Sequence, residues 1–149
     1  MRRKGREITL QVLYSLDFPD KMDSIDAYTA LNHYQEQLDA LCLEDKIKQT
    51  SPVYEFALEL IKNTLLNLDD IDHYISEQSE NWEFDRLALV DKNILRMATY
   101  ELVYKRIHPA IVINEAIEIS KKFSTDNSGK FINGILDSIF KKAKEEYDK

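Results

Sequence analysis

The chain opens with MRRKGREITLQVLY, which places Arg2, Arg3, Lys4 and Arg6 within its first six residues. Cations this closely spaced suit a polyanion, because each can neutralise one phosphate of a nucleic-acid backbone. A second stretch, KKFSTDNSGKF, sets Lys121, Lys122 and Lys130 around Phe123 and Phe131 across a polar turn. Cations interleaved with aromatic rings match single-stranded nucleic acid, where phosphates are held electrostatically and unpaired bases stack. The same two rings would serve equally as core residues with ordinary surface lysines beside them.

Charge is unevenly distributed. The 149 residues carry a formal net charge of −7, yet residues 1–16 sum to +3, residues 17–85 to −13 and residues 86–149 to +3. Basic ends around an acidic middle point to a local polyanion site; a wholly basic binder would carry its charge throughout. A solvated surface with chance clustering is the plainer reading of the same pattern.

Other chemistry lacks its residues. His33, His73 and His108 are far apart and match no metal-ligand spacing. Cys42 is the single cysteine, so no intramolecular disulfide can form and no nucleophile motif surrounds it. Gly5, Gly129 and Gly134 are isolated, which leaves no glycine-rich phosphate loop. Neither an enzyme nor a bound cofactor or metal is expected. The apolar run after the basic start is broken by Gln11, Tyr14 and Asp17, with no small-residue cleavage site behind it, so a secretory signal is not expected. No apolar run approaches the roughly 18 residues of a spanning helix. The expected location is the cytoplasm.

These residues must be positioned by helices. Hydrophobic residues make up 44% of the chain, while three glycines and three prolines leave too little turn chemistry for a many-stranded fold. Residues 4–17 show a stripe of Ile8, Thr9, Val12, Leu13 and Leu16 at helical spacing. Arg3, Glu7, Leu10 and Tyr14 share another face, on which a cation and an aromatic ring could serve phosphate and base together. Tyr14 would equally be a rim residue packed on the next helix. Pro19 and Asp20 mark a loop, and Ser24 or Asp26 could cap a second helix reaching to about residue 40. Ser51, Pro52 and Glu55 form a helix start: cap, first-turn proline, first-turn acid. Val53, Phe56, Leu60, Ile61, Thr64, Leu65 and Leu68 continue that helix, and Asp69 and Asp70 can open a short one carrying Ile71, Tyr74 and Ile75.

The strongest helical segment runs through SENWEFDRLALVDKNILRMATYELVYKRIHP. Phe84, Leu87, Ala88, Asp91, Leu95, Ala98 and Leu102 track one period, so Asp91 falls at or beside the buried stripe with Arg96 close to the same flank. Asp91 is either a solvated or paired edge residue or a charged contact at a docking surface. Pro109 suits the first turn of the next helix, and a last helix carries Ile132, Ile135, Leu136, Ile139, Phe140 and Ala143. Gly134 inside it costs about 1 kcal/mol relative to alanine, which suggests close helix packing there.

Three of these stretches together, RRKGREITLQVLYSLDF, VDKNILRMATYEL and above all INEAIEISKKFSTDNSGKFINGILDSI, resemble the NusB transcription antitermination family. The resemblance covers both ends of the chain and leaves residues from about 20 to 50 divergent. It implies an all-α fold of about seven helices in two small bundles sharing a long central helix, with residues 1–80 and 81–149 as the two subdomains of one RNA-binding unit. It also implies binding of the boxA element of nascent RNA, as a heterodimer with the small-subunit ribosomal protein NusE. The pair would join an antitermination complex on RNA polymerase during ribosomal RNA transcription.

By the same resemblance, Arg2, Arg3, Lys4 and Arg6 are RNA-binding candidates, as are Phe123, Asn127, Lys130 and Phe131. Tyr14, Asp91 and Arg96 correspond to the surface that docks NusE. Two departures stand out: Asp91 replaces a glutamate, and neutral Asn127 replaces an aspartate that would repel phosphate. A helical interaction adaptor with weak or lost RNA binding is the alternative, and whether the free protein forms a homodimer is left open.

Overall fold

Helix starts are set by local chemistry. Ser51 lies in extended backbone (φ −79°, ψ 152°), and its hydroxyl accepts the Tyr54 amide at 3.2 Å, with Pro52 following in the first turn. His108 does the same through its imidazole, whose Nδ1 accepts the Ala110 amide at 3.1 Å ahead of Pro109. The computed structural model describes residues 2–16, 27–79, 87–125 and 127–147. Among them the elements are α1 (Arg2–Leu16), α2 (Ala27–Glu44), α3 (Pro52–Leu66), α4 (Leu68–Glu77), α5 (Leu89–Thr99), a π-helical turn (Tyr100–Tyr104), α6 (Pro109–Phe123) and α7 (Ser128–Tyr147). The all-α expectation holds. The loop at Pro19 and Asp20, the Ser24 or Asp26 cap and Phe84 lie outside the described residues.

The chain divides into two compact units, Met1–Leu68 and Asp69–Lys149. In the first, α1 packs on α2 and α3 around Ile8, Leu13, Leu38, Ile61 and Leu65, all fully buried. The predicted α1 stripe lies in this core. Its other faces are less open than expected, because Glu7 and Leu10 are also buried. Arg3 and Tyr14 are therefore separate exposed points and do not share one exposed strip. Gly5 lets α1 and α3 approach closely: a Cβ there would sit 2.5 Å from Phe56 Cδ1.

In the second unit α5 packs against α6 and α7, which pair with each other. Ile94, Leu95, Met97, Ile119, Ile132, Leu136 and Ile139 form the interior. Every residue from Asp91 to Thr99 is buried, so α5 has no solvent face over that stretch. The π-helical turn that follows stacks Tyr100 on Tyr104 with ring centroids 5.7 Å apart. Gly134 corrects the sequence expectation. It is exposed, and a Cβ there would meet nothing within 4 Å, so the glycine serves no close packing. The close approach in α7 is made by Gly129, whose Cβ would lie 3.3 Å from Ile117 Cγ2 on α6.

Candidate nucleic-acid interface

On the first unit, the start of α1 presents Arg2, Arg3 and Lys4 to solvent. Lys4 Nζ reaches Asp45 Oδ2 at 3.3 Å, an exposed pair that a phosphate can compete with. Arg6 does not belong to this exposed set. It is 3% exposed, with its guanidinium carbon 5.4 Å from the centre of the Phe56 ring. A cation over an aromatic face is held electrostatically while its stem packs. The signal was present in the spacing, since Arg6 shares its face with Leu10 and Leu13. Tyr14 remains 43% exposed.

On the second unit, the α6–α7 turn brings Phe123, Asn127, Lys130 and Phe131 into one short segment. Asn127 and Lys130 are exposed, and both phenylalanines are half-buried, between the core and surface readings of the sequence. Lys122 Nζ lies 5.4 Å from the Phe123 ring centre, and Lys121 pairs with Glu118 on its own helix at 3.0 Å. The turn is fixed by backbone bonds from Ser124 N to Ser120 O (2.8 Å) and from Ser128 N to Thr125 O (3.1 Å).

Asp91 and Arg96 depart from the expected docking flank, because both are internal. Asp91 is 8% exposed and accepts hydrogen bonds from Ser124 Oγ at 2.7 Å and Ser128 Oγ at 3.0 Å. Arg96 is fully buried: Nε and Nη2 donate to the two Asp72 oxygens at 2.8 and 3.0 Å, and Nη1 donates to Asn93 Oδ1 at 3.0 Å. The serines and Asp72 lie 24 to 37 residues from their partners, beyond the reach of any helical spacing pattern. Among the described residues no group of three His, Cys, Asp or Glu side chains could hold a metal ion, and no helix is long and apolar enough to cross a membrane.

Comparison with known proteins places this arrangement in context. The chain is 41% identical over 146 residues to the transcription antitermination protein NusB of Thermodesulfovibrio yellowstonii, covering 97% of this chain and 93% of the relative. It is 44% identical over 139 residues to the NusB protein of Citrifermentans bemidjiense, covering 93% and 92%. Among solved structures, a T. maritima NusB superposes with a TM-score of 0.76 at 37% identity, covering all of this chain and 98% of that one. A structure of the antitermination factors NusB and NusE in complex with double-stranded RNA superposes with a TM-score of 0.78 at 27% identity, covering 95% and 96%. The model of the NusB family matches residues 3–141, nearly the whole length described above, and the chain belongs to that family.

Proposed function

We propose that this protein is a transcription antitermination factor that binds boxA-type nascent RNA as a heterodimer with NusE and promotes ribosomal RNA transcription within an RNA polymerase complex. The observation that carries the reading is the full-length likeness to a NusB solved together with NusE and RNA. The protein acts in the cytoplasm, by binding and without catalysis. Arg2, Arg3 and Lys4 hold phosphates, and the turn bearing Asn127, Lys130, Phe123 and Phe131 contacts the RNA as well. Tyr14, the exposed aromatic of α1, contacts NusE. Arg6 supports the amino-terminal surface from within, Asp91 supports the α6–α7 turn, and Arg96 braces the second unit through Asp72.

Gel shifts with boxA RNA, in single-stranded and duplex form, with and without NusE and across salt concentrations, test the reading. The expected result is binding that tightens with NusE and weakens steeply with salt, as phosphate contacts require. A flat salt response with intact NusE binding would instead establish a protein-interaction adaptor whose RNA surface has been lost.

A further inference from the structure

Asp91 stands in the first turn of α5, where the helix dipole favours a carboxylate. Its two oxygens are each engaged by a serine at one end of the α6–α7 turn. Ser124 follows the last residue of α6, and Ser128 is the first residue of α7. The hydroxyl protons can be assigned by counting. A carboxylate only accepts, so Ser124 and Ser128 each donate their single proton to it, and the 2.9 Å contact between the two serine oxygens carries no proton of its own. Ser128 then has only lone pairs left, and Thr125 Oγ1, 3.0 Å away, must be the donor in their contact. The order Thr125 to Ser128 to Asp91, with Ser124 to Asp91 beside it, is a directional network closed on one anion.

We propose that Asp91 is a positioning residue for RNA: its carboxylate ties both ends of the α6–α7 turn to the start of α5 and so holds Asn127 and Lys130 in the geometry that meets the nucleic acid. This rests on the RNA-binding reading above. Asn127 in the turn and Lys130 just inside α7 are exposed, and among the described residues the turn's other fastenings are two backbone bonds and the Ser124–Ser128 and Thr125–Ser128 hydroxyl contacts. Without the two hydroxyl bonds to Asp91 those side chains would have to be ordered at the moment of binding, which weakens affinity. The bonds also engage the Asp91 charge on protein donors close to a surface that must accept phosphate. Charge-assisted bonds to two short side chains do both at once.

The test is fluorescence anisotropy with labelled boxA RNA in the presence of NusE, on the wild type and on S124A/S128A, S124T, D91N and D91N/S124A/S128A. NusE affinity without RNA and urea unfolding are measured alongside. S124A/S128A is expected to lose about tenfold in RNA affinity, the size of one charge-assisted hydrogen bond, while NusE affinity is unchanged. S124T keeps the hydroxyl and is expected to keep wild-type affinity. Adding D91N to the serine pair should weaken RNA binding no further than the serine pair alone, since the partners are already gone. Wild-type RNA affinity in S124A/S128A would overturn the positioning role and leave the RNA reading standing. A parallel loss of NusE binding would mark a general loss of fold and would also overturn it. No RNA binding by the wild type itself would overturn the RNA reading, and the positioning role with it.

Discussion

Arg96 of α5 and Asp72 of α4 form a two-pronged ion pair in which the cation is completely buried and the carboxylate side chain keeps 17% of its exposure. Planar guanidinium and carboxylate meet in parallel bonds, a geometry lysine cannot reproduce. The pair fastens α4 to the core of the second unit. Its asymmetry predicts unequal costs for removing either partner. D72A strands a buried cation and should cost about 3–5 kcal/mol. R96M fills most of the space and leaves a carboxylate that still reaches water, so it should cost less. Urea unfolding of the two variants checks the order; equal losses would contradict it.

Two glycines predict opposite outcomes for the same substitution. G5A places a methyl group 2.5 Å from Phe56, whose ring is also covered by Arg6, so neither neighbour can move freely. Overpacking of about 1–3 kcal/mol outweighs the helix-propensity gain of about 1 kcal/mol, and the variant should be less stable. Combining it with F56L should restore part of the loss. G134A meets open space on an exposed helix face and should stabilise by about 0.5–1 kcal/mol. Thermal melts of the three variants give the comparison.

The amino-terminal arm predicts a salt response. Four phosphate contacts by Arg2, Arg3, Lys4 and Arg6 would give a log–log slope of about −2.8 on single-stranded RNA; burial of Arg6 leaves three, for about −2.1. A fourfold rise in salt then lowers the arm's share of affinity by about 18-fold. R2A/R3A/K4A should flatten the measured slope by about 2. R6A should instead lower stability, because it removes the packing on Phe56, and leave the slope near that of the wild type.

These cases show what was legible in the residues and why the rest was not. Helix starts such as Ser51–Pro52 and the Ile8-to-Leu16 stripe are local, so spacing alone reveals them. The basic start is equally visible, but charge type does not say which cation points outward. Arg6 shares a face with Leu10 and Leu13, and that periodicity outweighs the expectation that a charged residue is exposed. Asp91 and Arg96 are a different matter. Their partners Ser124, Ser128 and Asp72 come from the α6–α7 turn, α7 and α4, and no short-range pattern announces such pairs. The π-helical turn at Tyr100–Tyr104 likewise has no sequence period of its own.

Alkaline pH should loosen the first unit. Burial, reinforced by the 2.6 Å hydrogen bond its phenol donates to Asp39, pushes the Tyr54 pKa up from 10.0 to about 12. Below pH 10 the phenol is neutral in both folded and unfolded chains, and its contribution to stability is fully present. Between pH 10 and about 12 the unfolded chain ionises first, so that contribution is lost as pH rises. Burial also raises the Cys42 thiol of the same unit, which adds to the decline, and the Tyr74 and Tyr104 phenols of the second unit, which predict a parallel decline there. Urea midpoints measured from pH 8 to 11 should fall for the wild type and fall less for Y54F.

Asn127 supplies the most direct test of the turn as an RNA surface. It is exposed in the segment that also presents Lys130, so a charge placed there meets any phosphate held by that lysine. N127D adds one negative charge without changing side-chain size, and the exposed position tolerates it structurally. RNA affinity should fall several-fold at low salt. The loss should shrink as added salt shortens the Debye length from about 10 Å at 0.1 M toward about 3 Å at 1 M. NusE affinity and unfolding stability should be unchanged, which separates local repulsion from damage to the fold. Equal RNA affinity for the two versions at low salt would place the phosphates elsewhere and remove Asn127 from the interface.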